Sequence, residues 1–345
     1  MYSRHRRLIY RFIEKKSIVI FILILSAALI LLQTSSSNAQ VRICKFSFRF
    51  NQTIVCNLNP NSTPISGARG ITNTSSAKIT LDSTGIPIVN YGYIHGIYVG
   101  PQRNPVTISQ KAIYYYDLFR KTLSKKADES LVNTANWLLE NAQFRGNYSM
   151  LEYKFSYPTY DMTSPWRSGM AQGQAMEALV DAYRVLGEKK YLDTAKMLLN
   201  SFFVEVKNGG VTFKTPTNGW WYEEYAANAS RESRVLNGMM YALLSIYEYY
   251  NYTHAPEAKY LFDRGVLALD RTLPHYDNNG YSNYDILGTL ASIQYHHIHV
   301  DLLGRLYNIT KDGIFKAFHD RWGNYHISKP PLMNPALLNR KASQR

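Results

Sequence analysis

Beyond about Val106, apolar residues recur at three- and four-residue spacing in segments of helical length, separated by short breaks of Gly, Pro or Asn. This pattern predicts about eight helices, over 109–123, 128–142, 168–186, 189–203, 232–251, 256–273, 287–306 and 313–325. Two glycines in YDILGTLASIQYHHIHVDLLGRLYNI weaken the case for one unbroken helix there. ALVDAYRVLGEKKYLDTAKMLLNSF reads as a helix–turn–helix pair, and MMYALLSIYEYYNYTHAPEAKYLFDRGVLALDRTL repeats that layout about sixty residues later. Such pairs bury their faces only against neighbouring pairs. An open solenoid needs short turns between pairs. Here the links YPTYDMTSPW, GGVTFKTPTNGWWYEEY and LPHYDNNGYSNYD are long, aromatic and acidic. The expected fold is therefore mainly α, an (α/α) toroid of helical hairpins with a short N-terminal β or irregular region.

The N-terminal pattern is different. A basic stretch with Arg4, Arg6, Arg7, Arg11, Lys15 and Lys16 precedes an uncharged apolar run of seventeen residues, SIVIFILILSAALILLQ, and a small polar stretch, SSSNAQ. This order describes an export signal, retained as an anchor or cleaved near Ser37 and Ala39. The positive-inside rule leaves the N terminus in the cytoplasm and the rest outside, membrane-bound or, after cleavage, secreted. From 40 to 105 the chain is rich in Ser, Thr, Asn, Gly and Pro, with short β-branched runs such as AKITL and GIPIV. The expected division is a tail and signal segment over 1–39, a collar over 40–105, a helical domain over 106–330 and a basic tail over 331–345. Export agrees with Cys44 and Cys56, spaced for a local disulfide, and with seven Asn-x-Ser/Thr sequons, at Asn51, Asn61, Asn73, Asn147, Asn228, Asn251 and Asn308.

Composition narrows the partners. The 345 residues carry a formal charge of +14, and 28 of them are tyrosines. A basic, aromatic surface suits an acidic polymer such as a uronic-acid polysaccharide. The basic residues are dispersed and no nucleic-acid-binding motif appears, so nucleic acid is excluded.

At the links the sequence resembles a known family. SPWRSGMAQGQAMEAL, WYEEYA followed by RVLNGMMYAL, LPHYDNNGYSNYD and YHHIH, in that order between about Leu131 and Trp322, are similar to the C-terminal catalytic region of the D-glucuronyl C5-epimerases. These enzymes convert D-glucuronic to L-iduronic acid within polysaccharides. The resemblance implies an α/α toroid with a shortened N-terminal β part, no organic cofactor and no metal. It implies an acidic polysaccharide as substrate, to which the N-terminal segment adds the membrane as a partner and a second copy of the chain is a further expected one. Inverting C5 removes a proton α to a carboxylate and returns one to the opposite face, so two proton carriers and a holder for the enolate are needed. A lyase expelling the 4-linked sugar, and a non-catalytic glycan-binding scaffold, are the two alternative functions.

Glu224, Tyr225, Tyr284 and Tyr295 match the family's active-site carboxylate and tyrosines. Either Glu224 or a tyrosine activated by a nearby cation serves one face, and another tyrosine the other. Implied substrate-binding residues are Trp166, Arg167, Gln172, Trp221, Tyr222, Arg234, Asn237, His296 and His299. The aromatic members either stack on sugar rings or pack at the mouth of the bowl. Successive helical residues point about 100° apart, so only His296 and His299 of the YHHIH histidines share a face, and hydrogen bonding is favoured over a metal role. The sequence departs from the family in the short segment that joins Tyr284 to Tyr295, and where Leu287 stands in place of an expected arginine. Arg167, Arg231 and Arg234 are candidates to replace its grip on the substrate carboxylate.

Overall fold

The computed structural model describes residues 78–216, 219–227 and 232–325, all within the compact unit Ser66–Arg345. The export segment, both cysteines, Arg231 and four of the sequon asparagines, Asn51, Asn61, Asn73 and Asn228, lie outside the described residues. No helix among the described residues is long and apolar enough to cross a membrane.

Five short strands come first: β1 (Lys78–Leu81), β2 (Pro87–Asn90), β3 (Tyr93–Ile94), β4 (Ile97–Tyr98) and β5 (Pro101–Gln102). β1, β2 and β5 form an antiparallel sheet in the order β1-β2-β5, and β3 and β4 form a hairpin between β2 and β5. Eight α-helices follow among the described residues: α1 (Pro105–Thr122), α2 (Lys125–Asn141), α3 (Gly169–Leu186), α4 (Lys189–Asn200), α5 (Leu236–Thr253), α6 (Pro256–Thr272), α7 (Ile293–Thr310) and α8 (Gly313–Gly323). The largest shift from the expected spans concerns α7, which begins at Ile293 rather than 287. Gly288, at φ +85°, lies in the turn ahead of it, whereas Gly304 stays inside the helix.

The helices pair as α1–α2, α3–α4, α5–α6 and α7–α8, and α1, α3, α5 and α7 pack on one another in succession. This is the toroid layout of an inner and an outer helix per pair. Inner helices meet neighbours on every side and so read as apolar almost all round. α3 is buried without interruption from Gly169 to Ala182, and α5 from Leu236 to Ile246. Two-residue turns at 123–124, 187–188, 254–255 and 311–312 join the helices of each pair. Each turn reverses direction through a left-handed residue, Leu123, Gly187, His254 or Lys311. Long links join one pair to the next at the opposite end. They carry β6 (Gln143–Phe144) to β9 (Trp166–Arg167), then β10 (Thr212–Lys214) and β11 (Trp220–Tyr222), then β12 (Asp277–Asn278) and β13 (Tyr281–Ser282). Because successive helices alternate direction in this way, the long links lie at one end of the helices.

Candidate active site

The link between α4 and α5 delivers the central carboxylate. β10 and β11 pair antiparallel, and the chain then runs through Glu223, Glu224 and Tyr225 to Ala226. Both sides of this stretch are fastened to the start of α3. The Gly169 N–H donates to the Glu223 carbonyl at 2.6 Å, and Arg167 and Ala226 exchange backbone bonds at 2.8 and 2.9 Å. Glu224 and Tyr225 are thus held between two anchored points. The Glu224 carboxyl lies against the bare α-carbon of Gly238 on α5, where a side chain would overlap it. Its Oε2 is enclosed and finds no hydrogen-bond partner among the described residues.

The link between α6 and α7 brings Tyr284 and Asp285 to the same place. The Leu236 N–H at the start of α5 has no side-chain cap and donates instead to the Tyr284 carbonyl at 3.0 Å. Asp285 accepts the Thr289 N–H at 3.0 Å and the Tyr160 hydroxyl at 2.8 Å. Tyr160 comes from the link ahead of α3, so this bond ties two distant loops. Tyr295, on the first turn of α7, meets Tyr284 edge-on at 4.8 Å and is 38% exposed, which opens the cluster to solvent. Glu224, Tyr157, Tyr225, Tyr284 and Tyr295 lie close enough to act on one another electrostatically.

Aromatic stacking gives the cluster a rigid wall. Tyr153 and Trp166 stack at 3.8 Å, Trp166 and Tyr225 at 5.5 Å, and Tyr225 and Tyr157 at 5.5 Å. Tyr91, from the link between β2 and β3, adds its ring against Phe155 and Tyr157 and accepts a hydrogen bond from Asn104 at 2.6 Å. Tyr91, Tyr157, Tyr160 and Asp285 are members of this cluster that the motifs did not single out. YPTYDM had drawn attention as an aromatic, acidic link, but nothing in its spacing distinguishes Tyr157 and Tyr160 from rim residues.

Electrostatics set the protonation states. Burial pushes Glu224 up to about 8, with the neighbouring Tyr225 hydroxyl working the other way. Burial raises Tyr225 and Tyr284 well above the ordinary phenol value and raises Tyr295 too, helped by the proximity of Glu224. Glu223 is also pushed up to about 8 by burial, although its Oε2 accepts the Arg234 N–H at 3.1 Å. No cation figures among the described groups that shift Glu224 or the three tyrosines.

Several residues matched to substrate binding are placed elsewhere. Arg167 is buried, and its guanidinium donates to the carbonyl of Gly210 at 3.2 Å and that of Val206 at 3.5 Å. Arg234, in a left-handed conformation at φ +44°, pairs with Glu232 at 2.7 Å and covers the Phe213 ring. Neither supplies the missing carboxylate grip at Glu224. Gln172 is fully buried and spends its amide on the Leu151 backbone, at 2.8 and 2.9 Å, and on the Ser168 carbonyl. Trp221 and Tyr222 are fully buried: Trp221 stacks on Tyr276, and Tyr222 meets Phe202 edge-on and bonds the Leu261 carbonyl. Trp166 is enclosed in the aromatic wall. These rings support the site and have no face free for a sugar. Asn237, by contrast, keeps a buried Oδ1 with no partner among the described residues, one position before Gly238.

His296 and His299 do share a helix face, and both turn toward β13. The Ser282 hydroxyl lies 2.9 Å from His296 Nδ1 and 2.8 Å from His299 Nδ1. The Ser282 N–H also donates to His296 Nδ1, which places that ring's proton on Nε2, facing the Trp322 carbonyl at 3.2 Å. Burial holds both rings neutral, pushing His299 down to about 3. The pair therefore pins α7, and with it Tyr295, to β13. Ser282→Ala is expected to lower stability by about 1–3 kcal/mol in urea unfolding. An unchanged midpoint would remove the hydroxyl from this role.

With this geometry in place, the likeness to known proteins becomes specific. The family described as D-glucuronyl C5-epimerase C-terminus matches residues 145–324, a span containing the long links except the first residues of the link ahead of α3, and the whole Glu224 cluster except Tyr91. The chain belongs to this family. Membership places it among carbohydrate epimerases. A D-glucuronyl C5-epimerase of Caenorhabditis elegans is 33% identical over 215 residues, covering 56% of this chain and 34% of the worm enzyme. An uncharacterized protein of Methanocaldococcus jannaschii is 28% identical over 260 residues, covering 70% of this chain and 84% of its own length. Among solved structures, a sugar epimerase from a ruminal bacterium shares the helical fold with a TM-score of 0.50 at 13% identity, over 71% of this chain and 64% of that one.

Proposed function

We propose that the chain is a uronosyl C5-epimerase that inverts D-glucuronosyl to L-iduronosyl residues within an acidic polysaccharide. The observation that carries this reading is the buried Glu224 carboxyl, raised to about 8, lying beside tyrosines that burial holds protonated. A carboxylate of that basicity suits abstraction of a proton α to a carboxylate at near-neutral pH. Tyrosines of raised pKa stay protonated at neutral pH and so are not resting bases, and no cation figures among the described groups that shift them. The choice between Glu224 and a tyrosine as base therefore falls on Glu224.

In the proposed cycle, ionised Glu224 takes the C5 proton, and the C–H electrons pass into an enolate of the sugar carboxylate. Tyrosine hydroxyls donate to the enolate oxygens, taking the part of the missing arginine. One tyrosine O–H returns a proton to C5 on the opposite face. The resulting tyrosinate regains its proton from Glu224 by way of the neighbouring tyrosine hydroxyls, which resets both groups. The unpartnered Asn237 Oδ1 is available to a sugar hydroxyl.

The test is incubation with a glucuronate-containing polysaccharide in deuterated water. Deuterium at C5 together with iduronate is the expected result. Unsaturated, ultraviolet-absorbing fragments without iduronate would assign β-elimination and overturn the reading, as would binding without exchange. Tyr284→Phe is expected to reduce exchange at least about 100-fold while leaving the helical circular dichroism intact. Exchange at the wild-type rate would remove Tyr284 from the proton path.

A further inference from the structure

The β3–β4 hairpin carries aromatic surface that the reaction at Glu224 does not use. Tyr93, Ile97 and Tyr98 are 66%, 57% and 62% exposed, among the most exposed large apolar residues described. Single exposed apolar residues are ordinary, but two tyrosines and an isoleucine on one six-residue hairpin form a patch. The patch is built rather than loose. Tyr93 and Tyr98 are cross-strand partners with ring centroids 5.1 Å apart. The Tyr98 ring lies over Gly100, at φ +67°, where a β-carbon would stand 2.9 Å from three of its atoms. Only a residue without a side chain lets the ring rest there.

The hairpin is also continuous with the site. Ile94, on its inner side, packs against the cluster of Tyr153, Phe155 and Trp166 that backs the reactive tyrosines. Tyr91, two residues before Tyr93, is itself in the wall and is influenced by Glu224 and Tyr295. Two residues of extended chain span roughly 7 Å. A polymer reacting at Glu224 and leaving past Tyr91 would meet the Tyr93–Tyr98 pair next.

We propose that the β3–β4 hairpin is an outer carbohydrate subsite, with Tyr93 and Tyr98 stacking on the sugar units that flank the reacting one in a polymeric substrate. The inference rests on the polysaccharide reading of the Glu224 site and adds to it a surface that distinguishes long chains from short ones. Stacking needs an aromatic face and not the phenol hydroxyl, so phenylalanine should serve at both positions.

The test compares wild type, Tyr93→Ala/Tyr98→Ala and Tyr93→Phe/Tyr98→Phe, each in the full chain. Binding is read by retardation in gels containing a glucuronate polymer. Activity is read by deuterium exchange into that polymer and into a trisaccharide. Two stacked rings lost together are expected to weaken polymer binding about tenfold. The KM for polymer should rise by the same factor, trisaccharide exchange should be unchanged, and the phenylalanine pair should behave as wild type. Equal retardation of wild type and the alanine pair, including no retardation of either, overturns the subsite. So does a wild-type dimer that dissociates in the alanine pair, which assigns the patch to a second copy of the chain. Hairpin-dependent retardation without any wild-type exchange would support the subsite while removing the epimerase reading.

Discussion

Glu224→Gln is expected to reduce C5 exchange by about 10²–10⁴-fold with the fold intact, because glutamine fills the same space and cannot carry the proton. The wild-type pH profile should report the same group. The ionised fraction of a carboxyl at about 8 grows as pH rises, so kcat/KM should climb to about pH 8 and level above it. An ascending limb near the ordinary carboxyl value of 4.5 would mean that burial does not set the base. Stability supplies an independent check. Glu223 and Glu224 both sit at about 8 in the native state against 4.5 ordinarily, so the folded chain binds more protons than the unfolded one across that window. Their contribution is full below 4.5 and is lost as pH rises through 8. The melting temperature should be lower at pH 9 than at pH 5, with a shallower slope for Glu224→Gln.

Gly238→Ala is the second large effect. In an exposed helix this change is stabilising, since alanine has the higher helix propensity. Here the new β-carbon would lie 2.6 Å from the Glu224 Cβ and 2.9 Å from its Cδ, besides overlapping Oε2. The clash reaches the root of the side chain, so rotation about its bonds does not relieve it, and either α5 or the Glu224 loop must move. Overpacking of this kind costs about 1–3 kcal/mol, and a displacement on the order of 1 Å at a reacting group costs about 100-fold in rate. Exchange assays with thermal unfolding measure both. A variant as stable and as active as wild type would show that the carboxyl does not rest on α5.

The cluster shows how far a linear pattern carries. Glu224 and Tyr284 were legible because their motifs are distinctive and sit in links too long for turns. Tyr157 and Tyr160 were not, because their partners Tyr225 and Asp285 lie in other links, and no local spacing encodes which loops face each other. Trp221 and Tyr222 illustrate the opposite error. Alternation along a strand says that neighbours face opposite ways, but β11 is covered on both sides, so both rings are enclosed. Of the three arginines offered to replace the missing clamp, Arg231 lies outside the described residues and the other two turn elsewhere, because a charge in sequence has no direction. Arg167 turns to backbone carbonyls and Arg234 to Glu232.

By itself, the sequence determined the helical pairs, their breaks and the family, because apolar period, turn residues and motif order are local properties carried by neighbouring residues. Tertiary structure alone decided the protonation of Glu224, the makeup of its tyrosine neighbours and the packing against Gly238. Those depend on which groups exclude water from one another, and exclusion is a property of the closed set of links at one end of the helices.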